Sequence, residues 1–96
     1  VTTSIPMTPP TIHDSVALVF KWYLTTSYLY YKHHVSYVPD TLYDSWCAYL
    51  AYNWDVFEHQ HKHLVTKDDL TAGTGYAIQY PQQVQHAALY LLNQGK

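Results

Sequence analysis

The sequence predicts an all-α fold: an antiparallel helical hairpin, about residues 12–35 and 41–64, covered by a third helix at about 81–94 and preceded by an extended N-terminal arm. Three observations predict it. Apolar residues recur every three or four positions through two long stretches, the spacing of one helical face. A short interruption at Pro39-Asp40 separates them, so consecutive helices must fold back on each other. A third amphipathic run lies between Pro81 and Gly95, residues suited to starting and stopping a helix.

Taken in order, residues 1–10 hold three prolines among Thr and Ser and form a flexible arm, with 11–96 as a single helical domain. Thr11, with Asp14 three residues on, opens the first helix, and Val16, Val19, Phe20, Tyr23, Ser27, Tyr30 and His34 mark its buried face until it ends near Val35. Pro39 disfavours helical geometry in Val38, and Asp40 is a good N-cap. Tyr43, Trp46, Cys47, Leu50, Trp54, Phe57, His61 and Leu64 then trace a second helix of about six turns. Thr66 to Asp69 reads as a cap followed by one or two turns, and Gly73-Thr74-Gly75 as a turn lacking the lysine of a phosphate loop. In the last helix Val84, Ala87, Ala88, Leu91 and Leu92 form the stripe, and its small alanines allow close approach to both earlier helices.

Composition excludes several functions. A chain of 96 residues builds one core and no cleft between domains. A net charge of −2 with 12% charged residues leaves no basic face for unaided nucleic-acid binding. No apolar run approaches the ~20 residues of a membrane span, and residues 1–10 have neither the basic start nor the apolar stretch of a signal peptide. The lone Cys47 cannot form an intramolecular disulfide, which fits a reducing, cytoplasmic setting, and without a basic neighbour it is no nucleophile. The unusual feature is 17% aromatic content, eleven of the residues Tyr, which suits a core and a contact surface equally.

The most specific pattern is Tyr28-Leu29-Tyr30, eight residues, then Pro39-Asp40-Thr41-Leu42-Tyr43-Asp44, which brings two tyrosines and two carboxylates to a helix-loop-helix joint. Over Phe20 to Leu64 this order resembles the Ia subdomain of bacterial NAD-dependent DNA ligases. In that family the subdomain is a helical cap that clasps the nicotinamide mononucleotide (NMN) half of NAD between tyrosines, with carboxylates at the ribose and amide. The resemblance implies ligand contacts from Tyr30, Asp40, Tyr43 and Asp44, with Tyr31 standing where the family carries His and Leu42 where it often carries Glu. The family's lysine nucleophile motif and its further domains are absent from this sequence, so the resemblance implies a non-catalytic binder of NMN or NAD, with no tightly bound cofactor.

Other readings compete with it. The hairpin could serve as a protein-interaction module, a small virus-encoded inhibitor or an accessory subunit, presenting Trp22, Tyr37, Tyr49 and Tyr52 to a protein partner. It could also work in trans with a separate nucleotidyltransferase domain. His59 and His63 would share a helical face and are the best metal pair available, but with no compact third ligand a metal site is not expected. Asp68 and Asp69 read as a helix start rather than an acid-base pair.

Overall fold

The computed structural model describes residues 9–72 and 78–94, and among them the fold is all-helical with no strand. Four α-helices follow in order: α1 (Val16–His33), α2 (Asp40–Tyr52), α3 (Lys67–Ala72) and α4 (Gln82–Gln94), with a 3-10 turn at Lys62–Leu64. The glycine turn at 73–75, the stop at Gly95 and the arm up to residue 8 lie outside the described residues.

The central element is α1, which packs against α2 on one side and α4 on another, while α3 packs on α2. This explains why five consecutive α1 residues, Tyr23 to Ser27, are buried, where a one-sided stripe would bury two. The buried hydroxyls of Thr25 and Thr26 are satisfied within the helix, donating to the Lys21 and Trp22 carbonyls at 2.8 Å each. Val19, Phe20, Tyr23 and Leu24 meet Trp46, Cys47 and Leu50 of α2 in the main core, which Phe57, Val65, Leu70, Ile78, Tyr80 and Val84 complete.

The helix starts differ from expectation by a few residues. Thr11 to Asp14 closes a turn of its own, with the Thr11 N–H donating to Asp14 Oδ2 at 2.8 Å, and Ser15 rather than Thr11 precedes α1. Pro10, placed by the sequence in the loose arm, is buried, and its carbonyl accepts from Trp46 Nε1 at 2.8 Å. At the far end of α1 the backbone N–H groups of His34 and Val35 both return to the Leu29 carbonyl, which puts His34 in the left-handed region at φ 58°. A residue with a Cβ meets a steric cost there of ~1–2 kcal/mol.

The second helix stops twelve residues short of Leu64. At Tyr52 the chain leaves the helix because Asn53 caps it: the Asn53 amide side chain donates to the Tyr49 carbonyl at 2.9 Å, and its backbone N–H bonds the same oxygen. The next residues turn back across α1, where Trp54 and Phe57 pack on Phe20 at ring distances of 6.5 and 5.4 Å. Lys62 seals this turn by donating to the Phe57 carbonyl at 2.8 Å, with its ammonium over the Trp54 and Phe57 rings. The apolar rhythm from Trp54 to Leu64 therefore records burial without a helix.

The later elements agree with expectation in kind. Thr66 and Asp69 form a reciprocal capping box, Asp69 N–H to Thr66 Oγ1 at 3.1 Å and Thr66 N–H to Asp69 Oδ2 at 2.9 Å, in front of six-residue α3. Val84, Ala88 and Leu91 are buried, but among the described residues α4 touches α1 and not α2. The third long helix thus covers one side of the hairpin only. No helix among the described residues is long and apolar enough to cross a membrane.

Candidate functional site

The loop from His34 to Pro39 and the two helices that it joins frame a pocket of about 210 Å³. Thr26, Tyr30 and Tyr31 of α1 form one wall, Asp40, Tyr43 and Asp44 of α2 the other, and Ser36, Tyr37 and Val38 the loop side. The four residues that the family resemblance marked, Tyr30, Asp40, Tyr43 and Asp44, and Tyr31, which stands where the family carries His, all lie around this one cavity. Helical spacing brings them together: Tyr30 lies one turn after Thr26, and Asp44 one turn after Asp40.

The two carboxylates are open acceptors. Asp40 was expected to cap α2, but Pro39 takes the cap position and no side chain bonds the first turn, so the Asp40 carboxylate lies one residue into the helix. It sits in the first turn of α2, at the positive end of the helix dipole. Both Asp40 and Asp44 are exposed, and neither carboxylate makes a hydrogen bond or ion pair with another described residue.

The tyrosines divide into held and exposed members. Tyr43 stacks on buried Tyr23 at 5.6 Å and 27°, and its hydroxyl shares a 2.6 Å hydrogen bond with fully buried Ser27 Oγ. Burial pushes the Tyr43 phenol well above its ordinary value, and the Ser27 bond offsets only part of that, so this phenol stays neutral. Tyr30 is 51% exposed and meets Tyr31 edge-to-face at 4.9 Å. The pocket thus has a hydrogen-bonded phenol at its floor and an exposed ring at its rim.

Four lining residues were not assigned to this site from the sequence: Thr26, Ser36, Val38, and Tyr37, which was placed on the outward aromatic face. The helical step back from Tyr30 would have found Thr26, whereas Ser36 to Val38 lie in a loop whose path no periodicity encodes. Ser27 was read only as part of the buried stripe; its role is to hold Tyr43.

The alternative sites separate from this one. Of the four residues assigned to an outward aromatic face, Trp22, Tyr37 and Tyr49 pack partly against the core, and Tyr52 alone is exposed, at 89%. His59 and His63 do not share a helical face, because α2 ends before them: His59 packs on Phe20 at 5.0 Å while His63 is exposed in the 3-10 turn. No group of three or more potential metal ligands gathers among the described residues. Cys47 is buried, and burial with Asp44 nearby pushes its thiol up to about 12. No protein family matches this chain, and comparisons with curated proteins and with solved structures return no match.

Proposed function

We propose that the protein is a non-catalytic binding module that recognises the nicotinamide ring of NMN or NAD in the pocket at the α1-α2 joint. The observation that supports this reading is the convergence on a single cavity of four tyrosines and two carboxylates that pair with no other described residue. At about 210 Å³ the cavity lies below the ~300 Å³ at which pockets for whole drug-sized ligands begin, so it suits a ring, with ribose and phosphate left at the rim. A flat cationic ring gains ~0.5–2 kcal/mol from each aromatic face it meets. Asp40 and Asp44 favour its charge by ~1 kcal/mol apiece at about 4 Å in a water-like dielectric.

Among the described residues the lining contains no lysine or cysteine to attack a phosphoryl group, and the reading is confined to binding. It suits an intracellular role, where a lone buried thiol persists in reduced form. The charge of the ring provides the test. Calorimetric titration should show NMN and NAD binding, and the neutral dihydro form of the same nucleotide and AMP binding at least about fivefold more weakly, the factor that ~1 kcal/mol represents. Asp40→Asn and Asp44→Asn should each remove a similar factor for the cationic ring alone. Equal affinity for oxidised and reduced forms would reject the pocket as a cation clamp.

A further inference from the structure

A second cavity, of about 420 Å³, opens between α1, residues 59–61 and the first turn of α4, and shares no lining residue with the first. Its wall carries Lys21 and Thr25 from α1, His59, Gln60 and His61 from the irregular segment, and Gln83 from α4. No carboxylate lines it, in a chain where acids outnumber lysines and arginines seven to five. Glu58, beside His59 in sequence, is exposed and outside the wall. Among the described residues no carboxylate pairs with Lys21.

The hydrogen bonds determine which atoms remain as donors. His59 Nδ1 accepts the backbone N–H of His61 at 3.1 Å, so neutral His59 carries its proton on Nε2. Nε2 of His61 lies 3.2 Å from Gln83 Oε1, an oxygen that can only accept, which leaves the Gln83 amide nitrogen free to donate. The His59 ring is fixed edge-on to Phe20 at 5.0 Å and stands 5.5 Å from the His61 ring. Burial, with His61 and Lys21 alongside, disfavours its charged form. Gln83 belongs to the first turn of α4, where the helix dipole presents its positive end.

We propose that this cavity binds a phosphoryl group, held by the Lys21 ammonium, the Nε2–H of His59 and the amide nitrogen of Gln83. Donors arriving from three separate elements match a tetrahedral dianion better than a planar carboxylate, and lysine is a good point-charge partner for phosphate. The volume falls within the ~300–1,000 Å³ of small-molecule pockets, so the ligand is a phosphate monoester of a small molecule. This site does not depend on the nicotinamide reading.

The test is an NMR titration of the full chain, followed at the histidine rings, with inorganic phosphate and with glycerol phosphate against chloride at matched ionic strength. Saturable shifts at His59 and His61 are expected with both phosphates and not with chloride. Lys21→Gln should weaken binding about ten- to a hundredfold, the loss of one charge-assisted hydrogen bond. Gln83→Glu, which puts a carboxylate into the wall, should abolish it. Both positions are exposed, so the fold tolerates the changes. Asp40→Asn should leave phosphate binding unaltered. Shifts that never saturate or that chloride reproduces, or binding unaffected by both variants, would overturn the proposal.

Discussion

Replacing Ser27 by Ala removes the oxygen that holds the pocket floor. Ser27 is fully buried, its Oγ lies 2.6 Å from the Tyr43 hydroxyl, and Tyr80 also hydrogen-bonds it. Removing a buried hydrogen-bond partner costs the bond and the desolvation of the group left behind, about 1–3 kcal/mol here. Tyr43→Phe removes the other partner of the same bond, but Ser27 can still turn to Tyr80 or to the carbonyl one helical turn back, so its cost is smaller, about 0.5–1.5 kcal/mol. The double variant Ser27→Ala/Tyr43→Phe leaves neither of the two stranded by the other, and it should cost about 0.5–1.5 kcal/mol less than the sum of the single changes. Urea unfolding of the four proteins measures this directly, and in a domain of this size each kcal/mol also moves the thermal midpoint by about 4–8 °C. If Ser27→Ala cost under about 0.5 kcal/mol, or the two changes added within about 0.3 kcal/mol, the hydrogen bond would not be what fixes Tyr43.

Trp46→Phe strands the Pro10 carbonyl, now 2.8 Å from Trp46 Nε1, and should destabilise by about 1–3 kcal/mol in chemical denaturation while releasing the segment before α1 to proteolysis. His34→Gly should stabilise by about 0.5–1 kcal/mol, the relief of the left-handed strain less the extra entropy of glycine in the unfolded chain; a loss of stability in the same assay would contradict it. Burial raises the phenols of Tyr23, Tyr43 and Tyr80 and takes the Cys47 thiol to about 12, so the folded chain keeps protons that the unfolded chain releases. Stability should therefore fall as pH rises through the unfolded values of about 8.5 for Cys and 10 for Tyr, with these groups ionising in an ultraviolet titration only as the chain unfolds. His59 acts at the other end: burial lowers its pKa, the unfolded chain takes up the proton first, and stability should decline as pH drops below about 6.5, a decline that His59→Gln should reduce.

How far the sequence reveals the fold depends on the element. α1 and α4 are legible because Val19, Phe20, Tyr23 and Val84, Ala88, Leu91 repeat at helical spacing. α2 was over-extended because periodicity reports burial, and half-buried Trp54 and buried Phe57 sit in a turn that keeps the same rhythm. The signal against a helix was local: Asn53, whose short amide bonds the backbone one turn back, ends it. Four of the pocket positions, Tyr30, Asp40, Tyr43 and Asp44, came from the Tyr-Leu-Tyr and Pro-Asp pattern, since residues flanking a tight joint between two helices have little freedom in where they stand, and Tyr31 is the neighbour of the first. The loop side of the pocket, the hold of Ser27 on Tyr43, and the pairing of His61 with Gln83 all join residues distant in sequence through tertiary contacts, which no local spacing encodes.

The central claim is that the Tyr-Asp pocket takes a nicotinamide ring, and an NMR titration with NMN that follows the aromatic side chains of the full chain tests it most directly. The account predicts saturable, upfield-shifted signals confined to Tyr30, Tyr31, Tyr37 and Tyr43, with Tyr52 and Tyr90 unmoved as exposed tyrosines outside the pocket. Unchanged spectra up to millimolar NMN, or shifts at Tyr52 and Tyr90 as large as those at Tyr30, would contradict it.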